Sequence, residues 1–304
     1  MEGHRIACRL FHAQRAGTRP GMAVPRIFDM ALRANRRDRA SPAFANHAFL
    51  YEAVAAEMLD RLDDVQRAHR DALVIGAPVD TIARALRQKG MTVTVADPGA
   101  VFSAAHGGVQ VMEDDALPFA PGSFDLIMSC GVLDSVNDVP GLLIQMRGLL
   151  RPDGLLLGAF VGGGSLARLR AALLAGDGER PAQRLHPQID VRAAGDLLQR
   201  AGFAMPVADS QTIQVGYADL WRLLADLRGM GAAQCLVSRP PPLTRSALLE
   251  AAQAFAGFAD ADGRVRERFE IVHISGWCPD PGQPKAARRG SAKVSLADAL
   301  KSRA

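Results

Sequence analysis

Apolar positions in this chain change their period as it runs. Over 44–66, Phe49, Leu50, Val54, Met58, Leu59, Leu62 and Val65 recur at helical spacing, which predicts an amphipathic helix. Short apolar runs then alternate with helical stretches. The pattern predicts strands at 72–76, 92–96, 124–129 and 155–161, with a weaker one at 108–112. Between and after them it predicts helices at 81–89, 142–150 and 191–201. Gly90 and Gly202 follow the first and last of these, where a C-cap glycine belongs. The turn Arg151-Pro152-Asp153-Gly154 stops the middle one.

Such βαβα alternation implies a mostly parallel, Rossmann-like α/β sheet with helices on both faces. Right-handed crossovers then leave ligands at the carboxyl ends of the strands. From 217 the rhythm breaks. A helix at 217–227 runs into Arg228-Gly229-Met230-Gly231, and a corner at Arg239-Pro240-Pro241-Pro242 precedes a helix at 246–258. Residues 268–277 then alternate like a strand with one exposed face. The stretch 217–263 therefore reads as a helical insertion before the last strand, placed to lid the sheet.

Composition adds little to this until charge is mapped. The 304 residues are 48% hydrophobic and 22% charged, a globular balance. No apolar run reaches the roughly 18 residues of a membrane-spanning helix. The net charge of +4 is misleading, because the ends carry it. Residues 1–39 hold nine arginines against Glu2, Asp29 and Asp38. Residues 279–304 hold six basic residues against Asp280 and Asp298. The middle keeps 21 basic and 27 acidic residues, which argues against a nucleic-acid groove across the fold. The basic ends read as flexible solvated tails over 1–24 and 279–304, around a single domain at 25–278. They also suit an acidic partner or peripheral contact with a membrane surface. Residues 1–21 lack the apolar core of a secretion signal and loosely resemble a mitochondrial presequence, and Met22 is the start favoured on pattern. Cys8, Cys130, Cys235 and Cys278 stand far apart with no CxxC, so neither a zinc site nor a disulfide framework is indicated.

Three features stand where a nucleotide site needs them. Gly76 ends the strand 72–76, and only glycine lets a backbone pass close to a ligand there. Asp97 ends the next strand, placed to accept hydrogen bonds from a ribose diol. Glu113, Asp114 and Asp115 precede Ala116-Leu117-Pro118-Phe119, an acid and apolar pair suited to an adenine ring. Each has a plain alternative: a strand-end turn, a turn former before Pro98-Gly99, and a solvated acid cluster. Their order and spacing inside a βαβ pattern favour the joint reading.

The string Leu117-Pro118-Phe119, Gly122-Ser123-Phe124-Asp125-Leu126-Ile127 and Leu149-Leu150-Arg151-Pro152-Asp153-Gly154 resembles the second half of a class I methyltransferase. Closer resemblances narrow the branch: Ile27-Phe28-Asp29, Val136-Asn137-Asp138, Gly162-Gly163, Gln211-Thr212-Ile213-Gln214-Val215, Asp226-Leu227-Arg228-Gly229-Met230-Gly231, Gly276-Trp277 and Arg289-Gly290-Ser291-Ala292. They are similar to the respiratory complex I assembly factor 5 family, also known as protein-arginine hydroxylases, over about 25–298. The resemblance implies S-adenosylmethionine (SAM) as cofactor, held by Gly76, Asp97, Glu113, Asp114, Ala116 and Cys130. It implies modification or assisted assembly of a peripheral-arm subunit of NADH:quinone oxidoreductase, in the cytoplasm of a bacterium or the matrix of a mitochondrion. It points to no catalytic residue and no metal.

The chain departs from that family at the first loop. Where the family reads Asp-Leu-Gly-Cys-Gly-x-Gly, this chain reads Val74-Ile75-Gly76-Ala77-Pro78-Val79-Asp80. Proline cannot donate a backbone hydrogen bond, and Asp80 adds a side chain and a charge. The family's Leu-His-Trp-Val-Asn-Asp becomes Leu133-Asp134-Ser135-Val136-Asn137-Asp138. Losing an aromatic that packs on a ligand costs on the order of 1 kcal/mol, so SAM affinity falls by roughly tenfold to a thousandfold in all.

Three readings follow. The chain is a SAM-dependent enzyme acting on a protein side chain, a chaperone that kept the fold and lost the cofactor, or a carboxyl O-methyltransferase acting on an acyl-carrier protein. Methyl transfer asks little beyond in-line alignment, so the lack of a catalytic triad is no objection. No 2-His-1-carboxylate pattern is evident among His47, His69, His106, His186 and His273. His186 and His273 lie nearest the lid and the last strand.

Overall fold

The structure is a computed structural model that describes residues 26–76, 80–112, 116–280 and 282–283. The proposed tail over 1–24, residues 281 and 284–304 of the proposed tail over 279–304, the motif at 289–292, the acids Glu113, Asp114 and Asp115, and Pro78 lie outside the described residues.

Seven strands form one sheet in the order β3-β2-β1-β4-β5-β7-β6. They are β1 (Asp71–Ile75), β2 (Thr92–Asp97), β3 (Val109–Gln110), β4 (Phe124–Cys130), β5 (Leu150–Val161), β6 (Ala204–Tyr217) and β7 (Val265–Trp277). The first five run parallel, while β7 is antiparallel to both β5 and β6. The helices are α1 (Met30–Ala40), α2 (Phe49–Asp63), α3 (Asp80–Gln88), α4 (Ala100–Ala105), α5 (Val139–Leu149), α6 (Ala167–Asp177), α7 (Val191–Ala201), α8 (Leu220–Gly229) and α9 (Arg245–Ala256). A 3₁₀ turn at Ser41–His47 joins α1 to α2.

The centres of β1, β4 and β5, at 72–75, 126–128 and 155–157, are apolar runs because both sheet faces are covered there, as a parallel sheet requires. One core, with Leu126, Met128, Met58 and Phe255, lies on one face; a second, with Leu73, Ile127, Leu142 and Leu198, lies on the other. The α/β expectation, the mostly parallel sheet and the helical insertion before the last strand all hold.

Several elements differ from expectation. The predicted helix at 44–66 is broken at Ala48, and Phe49 faces outward, 41% exposed. Tyr217 does not open a helix; it is the last residue of β6, and α8 begins at Leu220. The last strand does not show one free face. Ile271 packs into one core and Val272 and Ile274 into the other, so 271–274 are all buried. The pattern did not reveal α1, α4, α6 or β6.

Candidate functional site at the strand tips

Parallel register carries the tips of β2, β1 and β4 to one edge. Ile75 pairs with Ala96 on one side and Ser129 on the other. Asp97 thus stands beside Gly76, whose N–H donates to Ala96 O at 2.9 Å. This is the crevice at the carboxyl ends of the strands where open α/β sheets bind ligands.

The two central candidates are there, but both face protein. Gly76 has φ +69°, and a Cβ on it would lie 2.1 Å from Val132 Cγ2 and 2.9 Å from Cys130 O. Glycine is needed for close approach, and the group that approaches is the chain's own Val132. The carboxylate of Asp97 is 1% exposed for the residue and closed by Arg37. Arg37 Nη2 donates to Oδ2, and Nε to Oδ1 at 3.3 Å, while Gly99 N–H also donates to Oδ1 at 2.9 Å. Burial opposes the charge of Arg37, yet Asp97 outweighs it and lifts the guanidinium above its ordinary range. Ala116 is exposed. Cys130 is core: burial pushes its thiol up to about 12, leaving an apolar lining atom rather than a reactive one.

A ribose diol needs free acceptor positions on the strand-end carboxylate, and the methionyl end of SAM needs open backbone at the first loop. In this arrangement Arg37 takes the first and Val132 crowds the second. The described residues therefore do not fit SAM as they stand.

Beside this closed seat lies a cavity of about 280 Å³ between the strand tips, α1, α2, α6 and the insertion. One wall is polar, with Arg33, Tyr51, Asp134, Ser135 and His186; the other is apolar, with Leu169, Leu173, Leu227 and Phe269. Arg33 Nε donates to Ser135 Oγ at 2.9 Å. Burial lifts the Tyr51 phenol well above its usual range, so it is a neutral hydroxyl. The Cys235 N–H donates to His186 Nε2 at 2.9 Å, and Cys235 Sγ sits 3.5 Å from the same nitrogen. Burial holds the Cys235 thiol up at about 11 and His186 below its ordinary value. A neutral imidazole paired with an un-ionised thiol is a structural contact, since nucleophilic attack needs thiolate.

The remaining histidines lie elsewhere. His47 Nδ1 is 2.7 Å from Asp226 Oδ1, and His69 Nδ1 is 3.2 Å from Asp125 O. His273 is buried with neither ring nitrogen partnered, against a smaller cavity of about 140 Å³ with Arg61 and Trp277. Among the described residues no group of three or more His, Cys, Asp or Glu is placed to hold a metal ion.

Motifs distant in sequence meet around the 235–237 segment, whose Cys235 lines the larger cavity. Phe28 bridges to Leu236, Asp29 N–H donates to Cys235 O at 2.8 Å, and Val237 N–H to Ile27 O at 2.9 Å. Asn137 Oδ1 accepts both Ile27 N–H and Phe28 N–H at 2.7 Å. Gly229 packs on the His47 ring, where a Cβ would meet Cδ2 at 2.1 Å. The polar wall itself was not foreseen. Arg33 and Arg37 are four residues apart on α1, a same-face spacing that was the available signal.

Comparison with known proteins accords with this geometry. A family model described as a methyltransferase domain matches residues 46–206. The mitochondrial arginine-hydroxylase NDUFAF5 of Danio rerio is 34% identical over 93% of this chain and 92% of its own length. A malonyl-[acyl-carrier protein] O-methyltransferase of Laribacter hongkongensis is 29% identical over 80% of this chain and 87% of its own. Among solved structures, the YcgJ protein of Bacillus subtilis superposes with a TM-score of 0.51 at 13% identity, over 73% of this chain and 98% of that one, a likeness of fold alone. With a shared domain model and end-to-end identity above 30%, this chain belongs to the NDUFAF5 arginine-hydroxylase family, built on the class I methyltransferase fold.

Proposed function

We propose that this chain serves the assembly of a respiratory NADH:quinone oxidoreductase by receiving a segment of a peripheral-arm subunit in the strand-tip cavity. The observation that carries this is that Leu227, Arg228 and 230–235 of the insertion line that cavity, while Ile27-Phe28-Asp29, held by Asn137, pair with the 235–237 segment that continues the lining. Those are the branch-specific motifs, and they lie outside the nucleotide-binding strands. The closed Arg37–Asp97 pair favours holding the segment over transferring a group to it. Action then takes place in the cytoplasm of a bacterium, or in the matrix if the source is a mitochondrion. No described helix is long and apolar enough to cross a membrane.

A second reading keeps SAM and modifies the same segment by methylation or hydroxylation. Its support is the position of Asp97 at the tip of β2, beside Gly76. A carboxyl methyl transfer on an acyl-carrier protein draws on the likeness to malonyl-[acyl-carrier protein] O-methyltransferases, that of Laribacter hongkongensis among them.

A strain lacking this chain tests the proposal. Peripheral-arm assembly is followed by native gels, and intact masses of the arm subunits are compared with the parent. Failed assembly with unchanged masses is the expected result. Loss of one methyl or one oxygen from a single subunit establishes the second reading, and normal assembly overturns the proposal.

A further inference from the structure

Arg37 and Asp38 are neighbours on the last turns of α1, and both are committed to the corner where β2 passes into α4. The Arg37 guanidinium bonds Asp97 through Nε and Nη2, and Nη2 also donates to Gly76 O at 3.4 Å. Its Cζ lies 4.6 Å from the Phe102 ring centroid, a cation–π contact. Asp38 Oδ1 accepts the amides of Val101 at 2.9 Å and Phe102 at 3.2 Å. Phe102 in turn packs edge-on against Phe44 of the following turn, at 5.2 Å between centroids. The helix is thus fixed over the corner by an ion pair, a ring contact and two amide bonds.

Three acceptor directions of Asp97 are used within the chain. An ionised carboxylate offers about four lone-pair sites; here two face Arg37, one faces Gly99 N–H, and the group is buried. A diol arriving there has to displace a guanidinium that is itself 4% exposed. Breaking a buried pair while leaving one partner in place is strongly unfavourable.

We infer that α1 is a built-in occupant of the nucleoside seat: Arg37 supplies to Asp97 the hydrogen bonds that a ribose would supply, and this closure excludes SAM independently of the altered loop. The inference deepens the group-free reading above. It is tested by binding alone, so it and the assembly role fail separately.

The test is isothermal titration of SAM into the full-length chain and three variants. One carries the loop repair Pro78→Gly with Asp80→Gly. The second adds Arg37→Ala. The third adds Arg37→Met to the repair instead, keeping an apolar stem against Phe102 should the alanine form fail to fold. The wild type and the loop repair are expected to give no saturable binding at millimolar SAM. Either Arg37 variant is expected to bind at least roughly a hundredfold tighter than the loop repair. Micromolar binding by the wild type or by the loop repair, with Arg37 in place, overturns the inference. So does absence of binding in an Arg37 variant that still unfolds cooperatively. Failure of both Arg37 variants to fold leaves the first two proteins to decide, by the same criterion.

Discussion

The Asn137 amide holds Phe28 from both sides: its Oδ1 accepts the Phe28 N–H at 2.7 Å and its Nδ2 donates to the Phe28 carbonyl at 3.0 Å. The same Oδ1 accepts Ile27 N–H. One side chain after β4 therefore performs the pairing of a short strand and fixes where the chain enters α1. Replacing Asn137 with Ala leaves these backbone groups without it. At about 1 kcal/mol per partly buried bond, unfolding in urea should show a loss of about 2 kcal/mol. Limited proteolysis should then cut preferentially before α1. Unchanged stability together with unchanged proteolysis rules out this clamp.

Gly76 supports a sharper prediction, because two separate penalties meet there. Alanine at φ +69° pays for a left-handed backbone, and its Cβ enters the Val132 methyl. Dihedral cost and overpacking together come to about 2–4 kcal/mol. Adding Val132→Ala to Gly76→Ala should recover the overpacking part and not the dihedral part. Urea midpoints of the single and double variants measure both, and a neutral Gly76→Ala contradicts the packing described.

How much of this was legible follows from what each segment buries. The stretches 72–75, 126–128 and 155–157 of β1, β4 and β5 are covered on both faces, so they read as apolar runs, and α7 carries its own caps, Asp190 and Gly202. β6 is an edge strand with half of its positions exposed and one buried. Its Ser210, Gln211, Thr212 and Gln214 show no alternation, and the register shifts between Ala204 and Val207. α1 buries Arg33 and Arg37 alongside Ala34 and Ala40, and a search for apolar periodicity is blind to a face made of guanidinium groups. For the same reason Asp97 was readable as a site residue and its partner was not: one arginine among nine near a basic end looks solvated. Asp134 was visible only as a departure from the family's His, and its place on the cavity wall needed the fold.

Three histidines give the acid side of the stability profile a definite sign. Burial holds His69, His186 and His273 below the ordinary 6.5, with His273 lowered further by Arg61. A histidine whose folded pKa is depressed binds its proton more readily when unfolded. Its contribution is present above about 6.5 and is lost as pH falls toward the folded value. Stability should therefore decline as pH falls below about 6.5. His186→Gln keeps an acceptor for Cys235 N–H and removes one titrating group. Its urea-measured decline should be shallower than the wild type's, and an identical slope removes His186 from the account.

The last prediction concerns the cavity as the place of function. Leu173 on α6 lies on its apolar wall, and a tryptophan there adds a ring into a space of about 280 Å³. Because the ring enters a void and not packed core, the overpacking penalty of about 1–3 kcal/mol for a filled interior should be largely avoided. The thermal unfolding of Leu173→Trp should stay near that of the wild type. A strain carrying only this variant should nonetheless fail to assemble the peripheral arm, as the deletion strain is expected to. If the filled protein is stable and assembly proceeds, the client segment does not enter this cavity. If Leu173→Trp unfolds early, Leu169→Phe fills a smaller part of the same wall, and the comparison is made with it.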